Sequence, residues 1–153
     1  MREWGTGEAV VRTARLLDSD GDERRQFASG EPFVAEFVVA AESGVEPPLL
    51  SLELRDNDGV VLAGLTQSTA ELGWSARGGE CTLRFELDRL PLAEGRFHLR
   101  AALVGSDGER LLHSLDDAAS FFVFPAGSES GAVFLSGRWS MEEIGSSEPI
   151  GRR

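Results

Sequence analysis

The chain has 153 residues, 15 of them basic and 26 acidic, for a formal net charge of −11. One domain of that length buries about 68–70% of its unfolded surface, so neither a disulfide nor a metal is needed to hold a core. The acidic surface repels phosphate backbones and anionic headgroups, which argues against nucleic acid and against direct membrane insertion.

Period-two alternation of apolar residues, broken by Gly, Asp and Pro, recurs along the chain, and no amphipathic helix pattern competes with it. A first strand is predicted from Glu8 to Leu17, where the apolar set slips from Ala9 and Val11 to Ala14 and Leu16, as a β-bulge requires. Asp18-Ser19-Asp20-Gly21 turns the chain. Gly30-Glu31-Pro32 then introduces a second strand with Phe33, Ala35, Phe37 and Val39 on one side. Pro47-Pro48 starts a third, in which Leu50, Leu52 and Leu54 alternate with Ser51, Glu53 and Arg55. Asp56-Asn57-Asp58-Gly59 predicts a hairpin to a fourth strand, Val60 to Thr66, because Asp and Gly tolerate the positive φ of a tight turn.

A fifth strand carries Cys81, Leu83, Phe85 and Leu87 inward, with Thr82, Arg84 and Glu86 outward. In a sixth, after Gly95, Phe97, Leu99, Ala101 and Leu103 alternate with Arg96, His98, Arg100 and Ala102. A seventh is predicted from Glu109 to Ser114 and an eighth from Phe121 to Phe124. Beyond a Gly/Ser-rich linker, Gly127 to Gly131, a ninth is expected from Ala132 to Trp139. The folded domain is thus expected over residues 1–139, with the polar stretch 140–153 as a flexible tail.

Eight or nine such strands imply an all-β fold, an antiparallel β-sandwich of the immunoglobulin-like or jelly-roll kind. Leu52, Leu54, Leu83, Phe85, Phe97, Leu99 and Leu103 are its expected core. Cys81, the single cysteine, lies in an apolar run and is expected as a buried free thiol, in keeping with a reducing compartment. No apolar run approaches the ~20 residues of a spanning helix. The first residues, Met1 to Gly5, lack the apolar stretch of a signal peptide, so a cytoplasmic location is expected.

Three motifs fall short of chemistry. Asp18-Ser19-Asp20-Gly21-Asp22 begins like a calcium loop, but Glu23 and Ser29 occupy the sixth and twelfth positions, where Gly and Glu are required. Gly73-Trp74-Ser75-Ala76-Arg77 departs from the Gly-x-Ser-x-Gly elbow at Arg77 and lies between strands rather than on a strand-to-helix turn. His98 and His113 lack the spacing of a zinc pair. No catalytic residue, metal ligand or cofactor site is therefore expected.

The chain opens on Glu3-Trp4-Gly5-Thr6-Gly7-Glu8-Ala9 and nearly closes on Gly131-Ala132-Val133-Phe134-Leu135-Ser136-Gly137-Arg138-Trp139. Between them lie the Phe27-to-Pro32 approach, the Asp-Gly hairpins and Leu90-Pro91-Leu92 with Gly95-Arg96-Phe97. In that order these segments resemble the C-terminal domain of the Wzt family, the ATPase subunits of bacterial ABC transporters that export O-antigen polysaccharide. The resemblance implies a non-catalytic, immunoglobulin-like module that recognises the bacterial polysaccharide to be exported. It implies a homodimer built by exchange of the last strand, with Val133, Leu135 and Trp139 at the interface. It also implies partners in a transporter permease and an ATPase domain, and a place at the inner membrane through the transporter. The ATPase domain itself is absent from this chain, which has no Gly-x-x-x-x-Gly-Lys-Ser/Thr loop. A ligand-free structural dimerisation module is the alternative.

Sugar recognition needs flat apolar faces beside planar hydrogen-bonding groups. The long loop Gln67 to Gly78 offers Trp74 as a stacking face, and the outward residues of the fifth and sixth strands offer Arg84, His98 and Arg100. Thr66 and Gln67 stand where relatives often carry an Asn-Thr pair, which makes them further candidates.

Overall fold

The alternation resolves into nine strands and no helix among the described residues, 3–128 and 130–143 of a computed structural model. In chain order they are β1 (Glu3–Trp4), β2 (Ala9–Leu17), β3 (Gln26–Ala28), β4 (Phe33–Ala41), β5 (Leu49–Asp56), β6 (Val61–Ser68), β7 (Gly79–Leu87), β8 (Gly95–Val104) and β9 (Leu111–Phe124). The larger sheet runs β1-β9-β8-β5-β6, with β3 also on β9; the smaller runs β2-β4-β7. All pairings are antiparallel except that of β3 with β9. The fold is therefore the expected all-β sandwich.

The predicted bulge is present in the first long strand, where the β2–β4 register shifts between Val11 and Thr13. It has a second use. The Val11 N–H donates to Nδ1 of buried His113 across the sandwich at 2.9 Å, tying β2 to β9. Between the sheets, Phe27, Phe33, Phe97 and Phe121 form one aromatic cluster with ring centroids 5.0–6.1 Å apart. Arg24 closes its end: the guanidinium lies 5.1 Å from the Phe27 ring centroid and donates to Glu31 and to the Gln26 carbonyl.

The core differs from expectation on one side. Leu52, Phe97, Leu99 and Leu103 are buried, whereas Leu54, Leu83 and Phe85 are half-buried and pack against the core's rim. The cause is the position of these residues near the open edges. On one side β2 packs against β9 and β8, while on the other β6 and β7 are the last strands of their sheets. Between these edges opens an apolar cleft of about 180 Å³, lined by Leu52, Leu54, Leu65, Phe85 and Leu87 among others. Cys81 lies on the same strand and is half-buried rather than buried; its burial pushes the thiol pKa up.

Two predicted strands merge and one does not form. The seventh and eighth are a single strand, β9, whose register with β8 shifts between Leu99 and Ala101. Asp116, Asp117 and Ala118 occupy that irregularity, so the break in alternation is a bulge rather than a turn. The expected ninth strand makes only an isolated bridge, Leu92 to Val133. The Ala93 N–H donates to the Ala132 carbonyl and the Phe134 N–H to the Pro91 carbonyl, at 3.0 and 2.9 Å. The Phe134 ring covers Gly30, where a Cβ would overlap it. Past that anchor Leu135 and Trp139 are 84% and 98% exposed. β1 and β3 are too short to show a period and were not predicted. Of the expected tail, Ser140 to Glu143 are exposed and residues 144–153 lie outside the described residues.

Candidate functional site

The outer face of the larger sheet carries a row of polar side chains fixed to one another. On β8, Arg100 Nε–H donates to Asp116 Oδ1 at 3.2 Å, and the Ser114 hydroxyl donates to the same oxygen at 3.1 Å. The β9 bulge makes this possible by directing Asp116 and Asp117 toward β8 opposite Arg100. On β5, Arg55 Nε–H donates to Glu53 Oε1 at 2.9 Å, and cross-strand pairing sets Glu53 beside Arg100 and Arg55 beside His98.

His98 is held at both ring nitrogens: Nε2 lies 2.9 Å from Asn57 Oδ1 and Nδ1 lies 3.0 Å from Ser120 Oγ. Ser120 Oγ is also 3.0 Å from Asp117 Oδ1. The single hydroxyl proton serves one acceptor at a time. Ser120 thus stands between His98 and Asp117 and links the imidazole to that carboxylate.

At one end of the same face stand two aromatics of the eighth predicted strand that sequence reasoning did not single out. Phe121 and Val123 point inward, which turns Phe122 and Phe124 outward, 37% and 41% exposed. Phe122 is paired with exposed Arg96 of β8, two residues along β9 from Ser120. The signal was available: in a four-residue apolar run on a half-buried strand, every second ring must leave the core.

The candidates proposed from sequence do not gather in one place. His98 and Arg100 share the outer face just described, and Thr66 joins it on β6, exposed and paired with Ser51. Gln67 alternates away from Thr66, is half-buried and donates to the Ser68 carbonyl at 3.1 Å. Arg84 lies elsewhere. The fifth and sixth predicted strands, β7 and β8, belong to opposite sheets, so their outward residues do not form one face. Alternation reveals which side of a strand faces out, not which strands are neighbours. Trp74 is half-buried against the core rim and lines a groove of about 370 Å³ with Thr82 and Arg84 at the free edge of β7. Val133, Leu135 and Trp139 are exposed.

The weaker motifs resolve locally. Asp18 Oδ1 accepts the N–H groups of Asp20 and Asp22, and its other oxygen faces Arg24 at 3.5 Å. These backbone hydrogen bonds hold the Asp18 carboxyl below the usual range, as a turn residue's would be. The Ser75 hydroxyl accepts the Arg77 N–H at 3.4 Å, while His98 and His113 are engaged on the larger sheet.

Two facing sheets, the larger with an open outer face, make this an immunoglobulin-like β-sandwich domain. The chain belongs to the Wzt C-terminal domain family, whose profile matches residues 1–135. In structure it is similar to the C-terminal domain of wzt, with a TM-score of 0.79 and 18% identity over 92% of this chain and 88% of that one. At that identity the likeness concerns the fold. In sequence it is 28% identical over 134 residues to phosphoribosylformylglycinamidine synthase subunit PurL of a Nocardioides species, covering 86% of this chain and 17% of that protein. PurL of Synechococcus elongatus is 29% identical over 146 residues, covering 92% of this chain and 16% of PurL. The chain thus spans about one-sixth of the length of the curated relatives it matches.

Proposed function

We propose that this domain is a non-catalytic carbohydrate-binding module that recognises an O-antigen-type polysaccharide for export by an ABC transporter. The observation that carries this reading is the outer face of the larger sheet. There Phe122 and Phe124 offer flat apolar surfaces beside the fixed donors and acceptors of His98, Arg100, Asp116 and Ser120. Sugars present the complementary pattern, C–H patches flanked by hydroxyls. Family membership supports the transport role, with the ATPase domain and the permease as partners and the inner membrane as the place of action. The described residues contain no helix long and apolar enough to cross a membrane.

Binding per site is weak, because each sugar hydroxyl exchanges a water hydrogen bond for a protein one at small net gain. Titration of the chain with the exported polysaccharide tests the reading. Arg100→Ala and Phe122→Ala are each expected to weaken binding about tenfold with little change in melting temperature. Parental affinity in both variants would rule out this face.

A specific feature also favours a homodimer. Val133, Leu135 and Trp139 leave apolar area in water, at a cost of about 25 cal/mol per Å². The β6 and β7 edges expose an apolar cleft whose lining includes Leu92, the residue bridged to Val133. Exchange of residues 132–139 between two copies would cover both. Two linked sites would then raise affinity for a repeating glycan by avidity.

A further inference from the structure

The smaller sheet carries a second polar device, on its own outer face. Arg15 of β2, Glu36 of β4 and Arg84 of β7 lie directly opposite one another across three strands. Glu36 is the one buried carboxylate among the described residues, 4% exposed at the middle of the row. Its two oxygens are divided: Arg15 Nε–H and Nη2–H donate to Oε1, and Arg84 Nε–H donates to Oε2 at 2.8 Å. These bonds hold the Glu36 carboxyl below the usual range.

One arginine would neutralise Glu36. The second, Arg84, brings further positive charge to a chain whose formal net charge is −11, while Glu23 also acts on Arg15. Arg84 engages Glu36 through Nε alone, which leaves the Nη1/Nη2 edge of its fork, and its side chain is 56% exposed. That fork is pinned by the carboxylate beneath it, so little side-chain entropy remains to be lost when it binds. In the neighbouring row Thr13 and Thr82 flank Val38, adding a hydroxyl on either side. The groove at the free edge of β7 brings the Trp74 indole to Thr82 and Arg84.

We propose that Arg84 and Arg15, braced on Glu36, form a binding site for an oxyanion carried by a sugar, with Trp74 and Thr82 receiving the ring. A guanidinium edge matches a carboxylate or a phosphate in geometry and charge, so the oxyanion is that of a uronic acid or of a phosphate-substituted sugar. The site is on the opposite sheet from His98 and Arg100 and stands independently of the glycan face assigned there.

The test is a titration of the full chain, labelled with ¹⁵N in arginine and tryptophan, using glucuronic acid, glucose 1-phosphate and glucose. The resonances of Arg84 Nε and Trp74 Nε1 are expected to move with an anionic probe and not with glucose. Response to glucuronic acid alone identifies a uronate site, and response to glucose 1-phosphate alone a phosphate site. Arg84→Gln is expected to weaken binding of the responding probe about tenfold or more. Arg84→Lys, which keeps the charge and loses the fork, covers the case in which Arg84→Gln fails to fold, and is expected to fall between. Arg110→Ala, at an exposed arginine paired with Glu8 away from both faces, is expected to change nothing here. Equal response to glucose, or no response to either anion, overturns the proposal and leaves the larger-sheet reading intact.

Discussion

Buried single side chains set the stability of this sandwich, and Phe97 is the clearest case. It is 1% exposed and stacks near Phe121 at 5.7 Å, so Phe97→Ala is expected to cost about 3–5 kcal/mol, read by chemical denaturation. Gly5 makes a different demand. Its φ is +129°, and a Cβ there would overlap the Leu112 carbonyl of β9. Gly5→Ala should therefore destabilise by about 1–3 kcal/mol. This gives the Trp4-Gly5-Thr6-Gly7 opening a physical reason, for the chain must pass against the β9 backbone. The Glu36, Asp18 and Asp107 carboxyls are all held below their usual range, Glu36 by two arginines and the other two by backbone N–H groups. Each contributes stability that is complete above the unfolded-chain pKa of about 4 and is lost as the pH falls through its lower folded value. Melting temperature should thus hold from neutrality to about pH 5 and fall below about pH 4. In Glu36→Gln the fall should be smaller; an unchanged acid profile would show that the arginine row carries none of it.

At the scale of elements, the strands with clean alternation were legible: β4, β5, β7 and β8 follow the apolar periods of Phe33–Val39, Leu50–Leu54, Cys81–Leu87 and Phe97–Leu103. What the sequence concealed were contacts between distant segments. A seventh strand ending at Ser114 and an eighth starting at Phe121 read as separate, because nothing local shows that β8 continues beside Asp116-Asp117-Ala118 and absorbs a bulge. Likewise Arg84 and His98 read as one face, because sheet membership depends on which strands pair, and period two is silent on that. Residues 132–139 read as a strand, yet only Val133 finds a bridge, at Leu92. Phe134 anchors this segment over Gly30, whose φ of +79° leaves the space a side chain would fill. Gly30→Val is expected to release the segment, seen as new protease sensitivity between residues 127 and 139. Unchanged cleavage would mean that the Phe134 contact does not hold it.

For the molecule as a whole, the open edge between β6 and β7 and the exposed Leu135 and Trp139 lead to one prediction about assembly. The chain should be a dimer by light scattering, and one ending at Phe134 a monomer; a shortened chain that stays dimeric would place the interface elsewhere. Glycan binding by the outer face of the larger sheet is tested most directly by mapping amide chemical shifts on titration with the exported polysaccharide. Perturbations are predicted to cluster at Thr66, His98, Arg100, Ser120 and Phe122. A glycan that binds without moving those amides, or that does not bind at all, would contradict the account.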